Sequence, residues 1–274
     1  MKNNIVYAGN VGVDFYIDLK KIFPGGSALN FVINYKSPSN DDNVSVVSVL
    51  GNDQNSDFTK KCLIKNQIFI NHLYIFSGKT AVQYIKNNIN GEKIFTYYDN
   101  GVLDKFQLTN KDKKFISSQD AVVTTVYKQI INLFDQVIKI KTKGIKIVDF
   151  RDLSDFNKDF SFIQKYQHDF DICYLSLNIK EKSLINKIKK FSKQKNKLII
   201  VTLGKNGSIA FFGNEVFIQK SLPGKVIDTT GCGDAYLAGF VSEYLKSKDI
   251  AKSMFVGTKL ASKIASHYGA VNYI

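Results

Sequence analysis

The chain is poor in the residues that would commit it to several large classes of protein. Its three cysteines, Cys62, Cys173 and Cys232, are odd in number, far apart and never in a CxxC pair. That excludes a disulfide framework and reads as reduced thiols of a cytoplasmic protein. The three histidines, His72, His168 and His267, are isolated, so zinc-ligand spacing is missing. Three prolines and 18 glycines are too few for a disordered chain. No apolar run approaches the ~20 residues that span a bilayer, so no membrane partner is expected. The start, "MKNNIVYAGN", reads as a first strand rather than a signal peptide.

Arginine is scarcer still. The net charge is +14, yet Arg151 is the one arginine and lysine carries the rest. Arginine is the side chain that reads phosphate and guanine with two parallel hydrogen bonds. The lysines are scattered through Ile/Asn-rich sequence instead of forming an arm. The charge therefore reads as a solubilising surface, and no nucleic-acid partner is expected.

What the chain does have is length, 274 residues at 44% hydrophobic content, and a regular alternation. Near-continuous apolar runs at 4–9, 44–50, 120–126, 145–150, 170–176 and 197–203 read as strands buried on both faces. Between them lie amphipathic stretches. In "KEKSLINKIKKFSKQK", Leu184, Ile185, Ile188 and Phe191 mark one face and lysines the others. The alternation predicts an α/β fold, a mostly parallel sheet covered by helices on both sides. Two segments break it. Residues 208–219 read as a hairpin around Gly213-Asn214 that extends the sheet edge. Residues 79–101 read as a hairpin around Asn90-Gly91 with no place in a parallel sheet, a candidate lid. The whole of 1–274 reads as one domain, with lid elements at about 14–24 and 79–101 inserted in it.

Two nucleotide-binding patterns fail on inspection. "SGKT" at 77–80 resembles the end of a phosphate-binding loop, but Leu73 stands where that loop needs its first glycine. "GCGDAY" begins like a dinucleotide fingerprint, but Tyr236 stands at its last glycine. A third pattern survives. In "DTTGCGDAYLAGF" (228–240), Gly231-Cys232-Gly233 precedes a strongly amphipathic helix and Asp234 falls on its first turn. Successive N–H groups of a glycine-rich turn at a helix N-terminus make an anion site. A plain helix cap explains the acid alone. It does not explain two glycines, whereas a carboxylate beside a held phosphate can take the proton of an attacking hydroxyl.

This stretch resembles the DTxGAGD signature of the ribokinase-like (PfkB-type) sugar kinases, with Cys232 where that family usually has alanine. "PGGSALN" (24–30) resembles the family's early GGxxxN motif, and "NIKE" (178–181) its NxxE motif. The resemblance covers nearly the whole chain. It implies a three-layer α/β/α sandwich with a small, reduced β lid, and phosphoryl transfer from ATP with Mg2+ to a sugar or sugar-amine. It implies Asp234 as base, and the amides of Gly231, Cys232 and Gly233 as an anion hole. Asp14, Gly25, Gly26 and Asn30 would hold the acceptor. Asn178, the "VTLGKNGS" residues Thr202, Gly204 and Gly207, and Thr258 would bind ATP. Glu181 would act on Mg2+ through water. Asp228 and Thr230 match positions that help hold a monovalent cation such as K+ in several members. Arg151 follows a strand in "VDFRD", where many relatives carry a D-x-N-x-R pattern that is absent here.

Within the family, "VDFYIDLKKIFPGGSALN" and "NGVLDKF" are most similar to the fructoselysine 6-kinases. A kinase for a plain sugar or a nucleoside is the alternative, and a catalytically idle sugar-binding protein is a third reading. The intact Asp234, glycine turn and NxxE speak against the third. The Cys232 thiol, at a helix N-terminus, is read as a bystander more than as a reactive group. A homodimer through the lid is implied, as in several relatives.

Overall fold

The structure is a computed structural model and describes residues 2–36, 40–87 and 93–272; the turn read at Asn90-Gly91 lies outside them. In chain order the described strands are β1 (Asn4–Ala8), β2 (Gly12–Tyr16), β3 (Lys21–Gly25), β4 (Asn43–Leu50), β5 (Phe69–Ile75), β6 (Ala81–Asn87), β7 (Lys93–Asp99), β8 (Ala121–Thr125), β9 (Ile145–Asp149), β10 (Ile172–Ser176), β11 (Leu198–Thr202), β12 (Ser208–Phe212) and β13 (Glu215–Gln219). The helices are α1 (Ser27–Tyr35), α2 (Gln54–Lys65), α3 (Asn110–Ser117), α4 (Ile131–Ile138), α5 (Ser161–Lys165), α6 (Lys182–Lys195), α7 (Cys232–Ser247) and α8 (Ile250–Ile264).

Nine strands form one sheet in the order β13-β12-β11-β10-β9-β8-β1-β4-β5. Pairing is parallel from β11 through β5 and antiparallel only where β12 and β13 extend the edge. The hairpin read at 208–219 therefore sits where its sequence placed it. Successive side chains of a strand point to opposite faces. Ile5 and Tyr7 of β1 thus pack with Leu29 of α1, Leu237 and Phe240 of α7 and Met254 of α8. Val6 and Ala8 pack on the other face with Ile116 of α3 and Leu133 of α4. Further along that face, Val148, Cys173, Ile199 and Val201 meet Ile163 of α5 and Leu184, Ile188 and Phe191 of α6. Helix, sheet and helix make three layers, which explains why these strands carry apolar residues on both faces.

The second sheet is small. Its order is β3-β2-β6-β7, with β2 beside β6 in parallel and the other two pairs antiparallel. The segments read near 14–24 and 79–101 thus join in one four-stranded sheet, the candidate lid. Its own core is a cluster of Tyr16, Phe23 and Ile85, with Leu19 packed against it. Among the described residues no helix is long and apolar enough to cross a membrane.

The helix that begins at the glycine turn is fixed by its packing. Phe240, fully buried, lies in the core shared by α1, α7 and the sheet. Replacing Phe240 by alanine is expected to cost about 3–5 kcal/mol. The readout is a lower urea midpoint with an unchanged denaturant slope; an unchanged midpoint would refute the assignment.

Candidate active site

In an open parallel sheet, ligands bind beyond the carboxyl ends of the strands. Here that edge, the N-termini of α1 and α7, and the lid border a cavity of about 680 Å³. Asp14 reaches it from β2, Gly26 and Asn30 from the start of α1, and Gly231, Gly233 and Asp234 from the turn into α7. Residues 14, 30 and 234 are far apart in sequence, and the fold brings them to one site.

The two helix N-termini are joined directly. Asn30 Nδ2 donates to Asp234 Oδ2 at 2.8 Å. Neither α1 nor α7 is capped by a side chain of its own N-cap residue. At α1, Asn10 substitutes: its side-chain oxygen accepts from Ser27 N and its carbonyl from Ala28 N, both at 3.1 Å. At α7, the Cys232 N–H donates to Thr229 O at 3.2 Å. Among the described residues the N–H groups of Gly231, Gly233 and Asp234 donate to no other group. Unpaired amides at the positive end of a helix dipole form an anion cradle. Gly231 must be glycine for two reasons: its φ is +74°, and a Cβ would stand 2.2 Å from the Ala270 Cβ.

Gly25 and Cys232 do not line the cavity. A Cβ on Gly25 would stand 2.4 Å from Asp14 Oδ1, so this glycine makes room for the Asp14 carboxylate. The Cys232 thiol is held near the Asp228 and Ala261 carbonyls, and burial pushes it up to about 12, with the charges of Asp228 and Asp234 adding to the shift. Burial keeps the thiol protonated at neutral pH.

Electrostatics set the state of the acids. Burial pushes the Asp234 carboxyl up to about 7; Arg151 and the Asn30 hydrogen bond pull it down, and Asp149 adds to the rise. Burial, with Asp234 and Asp228 nearby, also raises Asp14 well above the usual carboxylate range. Asp149 is pushed up to about 6, again by burial, against the pull of Arg151. A half-buried carboxyl poised near neutrality beside free amides is what a general base for a hydroxyl requires.

A carboxyl of this kind beside unpaired amides suits phosphoryl transfer. The pattern of the pfkB family carbohydrate kinases matches residues 20–274. The chain belongs to that family. It is 29% identical over 262 residues to the fructoselysine 6-kinase of Shigella flexneri, covering 96% of this chain and 97% of that one. It is 25% identical over 273 residues to a fructosamine kinase of Bacillus subtilis, covering 98% and 93%. Among solved structures, Arabidopsis thaliana ribokinase complexed with ribose and ATP superposes with a TM-score of 0.79 at 18% identity, covering 98% of this chain and 94% of that one. The fold is ribokinase-like, and the pfkB chain is a sugar kinase, a phosphotransferase.

Of the remaining residues singled out from sequence, all but Thr230 stand outside this cavity. Thr202 ends β11 one step beyond it, its hydroxyl 3.2 Å from that of Tyr174, which does line the cavity. Gly204 and Gly207 flank the short turn that follows. Thr258 lies in α8 with its hydroxyl donating to Met254 O at 2.8 Å. Asn178 N donates to Glu181 Oε2 at 2.7 Å, and Lys158 pairs with Glu181 Oε1. Thr230 lines the cavity, while Asp228 stands behind it, buried.

Sequence reading missed several cavity residues. Asn10, Tyr98, Tyr127 and Asp149 line it, and so does Arg151 despite the absent pattern around it. Arg151 is held in a left-handed conformation, φ +55°. Its Nη1 donates to Ser27 Oγ at 3.1 Å, and the guanidinium lies 5.6 Å from the Tyr127 ring centre. A lone arginine at the carboxyl end of a buried strand was the available signal.

Replacing Asp234 by asparagine is expected to lower kcat by about 10²–10⁴-fold while ATP still binds; near-normal turnover would remove Asp234 as the base. Because the base works deprotonated, kcat/KM should fall as pH drops below about 7. Arg151 holds that carboxyl down, so Arg151→Met should move the acidic limb to higher pH. A limb that stays in place would separate Arg151 from the base.

Proposed function

We propose that this pfkB kinase transfers the γ-phosphoryl group of ATP to a primary hydroxyl of an amine-bearing sugar, O6 of a fructosamine such as fructoselysine. The observation that carries the reading is the charge of the acceptor cavity. Asp14, Asp149, Asp152, Asp155 and Asp234 line it against Lys93 and Arg151 as cations. Tyr97, Tyr98 and Tyr127 stand among them. Carboxylates and aromatic faces favour a substrate ammonium, and an acidic wall disfavours an acceptor that is already phosphorylated. The fructoselysine and fructosamine kinases among the relatives support the same reading.

In this mechanism Asp14, Asn30 and the Gly26 turn orient the acceptor. Asp234 takes the proton of the attacking hydroxyl as its oxygen bonds to the γ-phosphorus and the bond to ADP breaks. The N–H groups of Gly231 and Gly233 hold the transferring charge, with Arg151 nearby. Asn178, Thr202, Gly204, Gly207 and Thr258 would border the nucleotide. Mg2+ supplies charge neutralisation on the phosphates when bound. Glu181 would hold it through water: its partner Lys158 is 44% exposed, and an ion pair of that kind yields at small cost. The lid closes over the acceptor and excludes water as a competing nucleophile. Exposed Ile22, Ile94, Phe95 and Tyr97 on the lid support a homodimer formed there, and three free thiols suit a cytoplasmic protein.

A coupled assay of ADP release should show higher kcat/KM for fructoselysine and other fructosamines than for fructose, ribose, fructose 6-phosphate or nucleosides. The double variant Asp152→Asn, Asp155→Asn should reduce the preference for fructoselysine over fructose by about tenfold, the effect of losing one well-placed charge. Turnover of fructose with none of any fructosamine would overturn the proposal.

A further inference from the structure

Asp228 is 1% exposed, and a buried carboxylate needs an opposite charge as well as hydrogen bonds. Its Oδ2 accepts from the Tyr16 hydroxyl and from Gly269 N, and its Oδ1 accepts from Thr230 N at 2.8 Å. The ammonium of Lys93 lies 3.6 Å from the same Oδ1. That lysine belongs to β7 of the lid, and its side chain is 3% exposed. Its Nζ stands 4.6 Å from the ring centre of Tyr16 and 5.2 Å from that of Tyr268, within cation–π range of both. The Thr230 hydroxyl, buried beside this group, has no partner among the described residues.

The resemblance to cation-binding relatives predicted a monovalent ion at Asp228 and Thr230. The residues present do not fit an added ion, because a lysine already faces that carboxylate. We propose that Lys93 is a built-in counter-cation that holds the Asp228–Thr230 turn from the lid, so that phosphoryl transfer needs no added monovalent ion. It is a positioning residue. Asp228 fixes Thr230 N, Thr230 leads into Gly231, and Gly231 opens the phosphate cradle. The inference rests on the reading of that turn as the cradle and is indifferent to which sugar is phosphorylated.

Removing the ammonium while keeping the side-chain volume near constant, as in Lys93→Met, leaves Asp228 buried without its cation. It also leaves a space walled by Asp228 Oδ1, the Thr230 hydroxyl and two tyrosine rings, which suits K+ or NH4+. The wild type should turn over equally, within about twofold, in N-methylglucamine and in K+ buffer of matched ionic strength, as surface screening alone is constant there. Lys93→Met should lose about tenfold or more in kcat in N-methylglucamine, with a smaller change in KM, and recover saturably with K+ or NH4+. Lys93→Arg should keep activity without K+.

Thermal unfolding supplies a readout that needs no sugar: K+ should raise the melting temperature of Lys93→Met and leave that of the wild type unchanged. A chain inactive on every acceptor tried would sink the fructosamine reading and leave this comparison intact. The inference is overturned if the wild type requires K+, if Lys93→Met matches the wild type in N-methylglucamine, or if its loss does not respond to K+ or NH4+. Should Lys93→Met fail to fold, the wild-type comparison decides between the outcomes.

Discussion

A carboxylate moved from water into a protein interior must be met by hydrogen bonds, by opposite charge or by a proton. At Asp234 all three operate together. Asn30 supplies the hydrogen bond, Arg151 supplies the charge, and burial still leaves the group ready to take a proton near neutrality. Each of these partners comes from a different part of the fold. Asn30 rides on α1, Arg151 follows β9, and Asp234 stands on the first turn of α7. The sheet, the helix packing and the turns matter to the chemistry because they hold Asn30 and Arg151 around the Asp234 carboxylate. The same charge lies at the positive end of α7, where the helix dipole favours it.

The surrounding charges extend this logic. Asp149, pushed up by its own burial, is kept in range by the guanidinium that its carboxylate helps to place: Arg151 N donates to Asp149 Oδ1 at 2.7 Å. Arg151 pays for its position with a left-handed backbone, an unusual state for a residue other than glycine. Strain of this kind persists where neighbouring groups over-determine the geometry. Here Asp149, Ser27 and Tyr127 do so. The site is thus an acidic cavity with two cations, Arg151 and Lys93, and its acids remain usable because Arg151 is placed against them.

What could be read from sequence follows from how local each signal is. The strands of the main sheet are buried on both faces, so their apolar runs stand out, and β1, β4, β8, β9, β10 and β11 were legible. The turn and helix around Asp234 carry a dense local signature, as does the approach to α1. The lid strands β2 and β3 were seen only as a segment, because "GVDFY" and "KIFPG" mix polar, glycine and proline residues in short strands. Strand β5, at the edge of the main sheet, alternates without a clear apolar run and was not read as a strand. Asp149, Arg151, Tyr127 and Lys93 acquire their roles by meeting across the fold, and no spacing along the chain announces such a meeting. Gly25 shows the converse. Its motif was legible, but its physical reason, room for the Asp14 carboxylate, depends on a strand pairing between β2 and β3.

The lid raises a question of balance. Four short strands with a core of Tyr16, Phe23 and Ile85 bury too little to hold one position unaided. Its attachments to the main body must therefore carry part of the work. β2 continues directly from β1 of the main sheet, which fixes one edge. At depth, the Tyr16 hydroxyl and the Lys93 ammonium both converge on Asp228, two residues before the cradle's approach at Thr230. Tyr16 and Lys93 come from β2 and β7, so both members of the lid sheet that flank β6 are tied to one carboxylate. A lid anchored at that carboxylate cannot shift without disturbing the turn that presents Gly231 and Gly233. On the proposed reading, the cover over the acceptor and the cradle for the phosphate are two ends of one electrostatic unit.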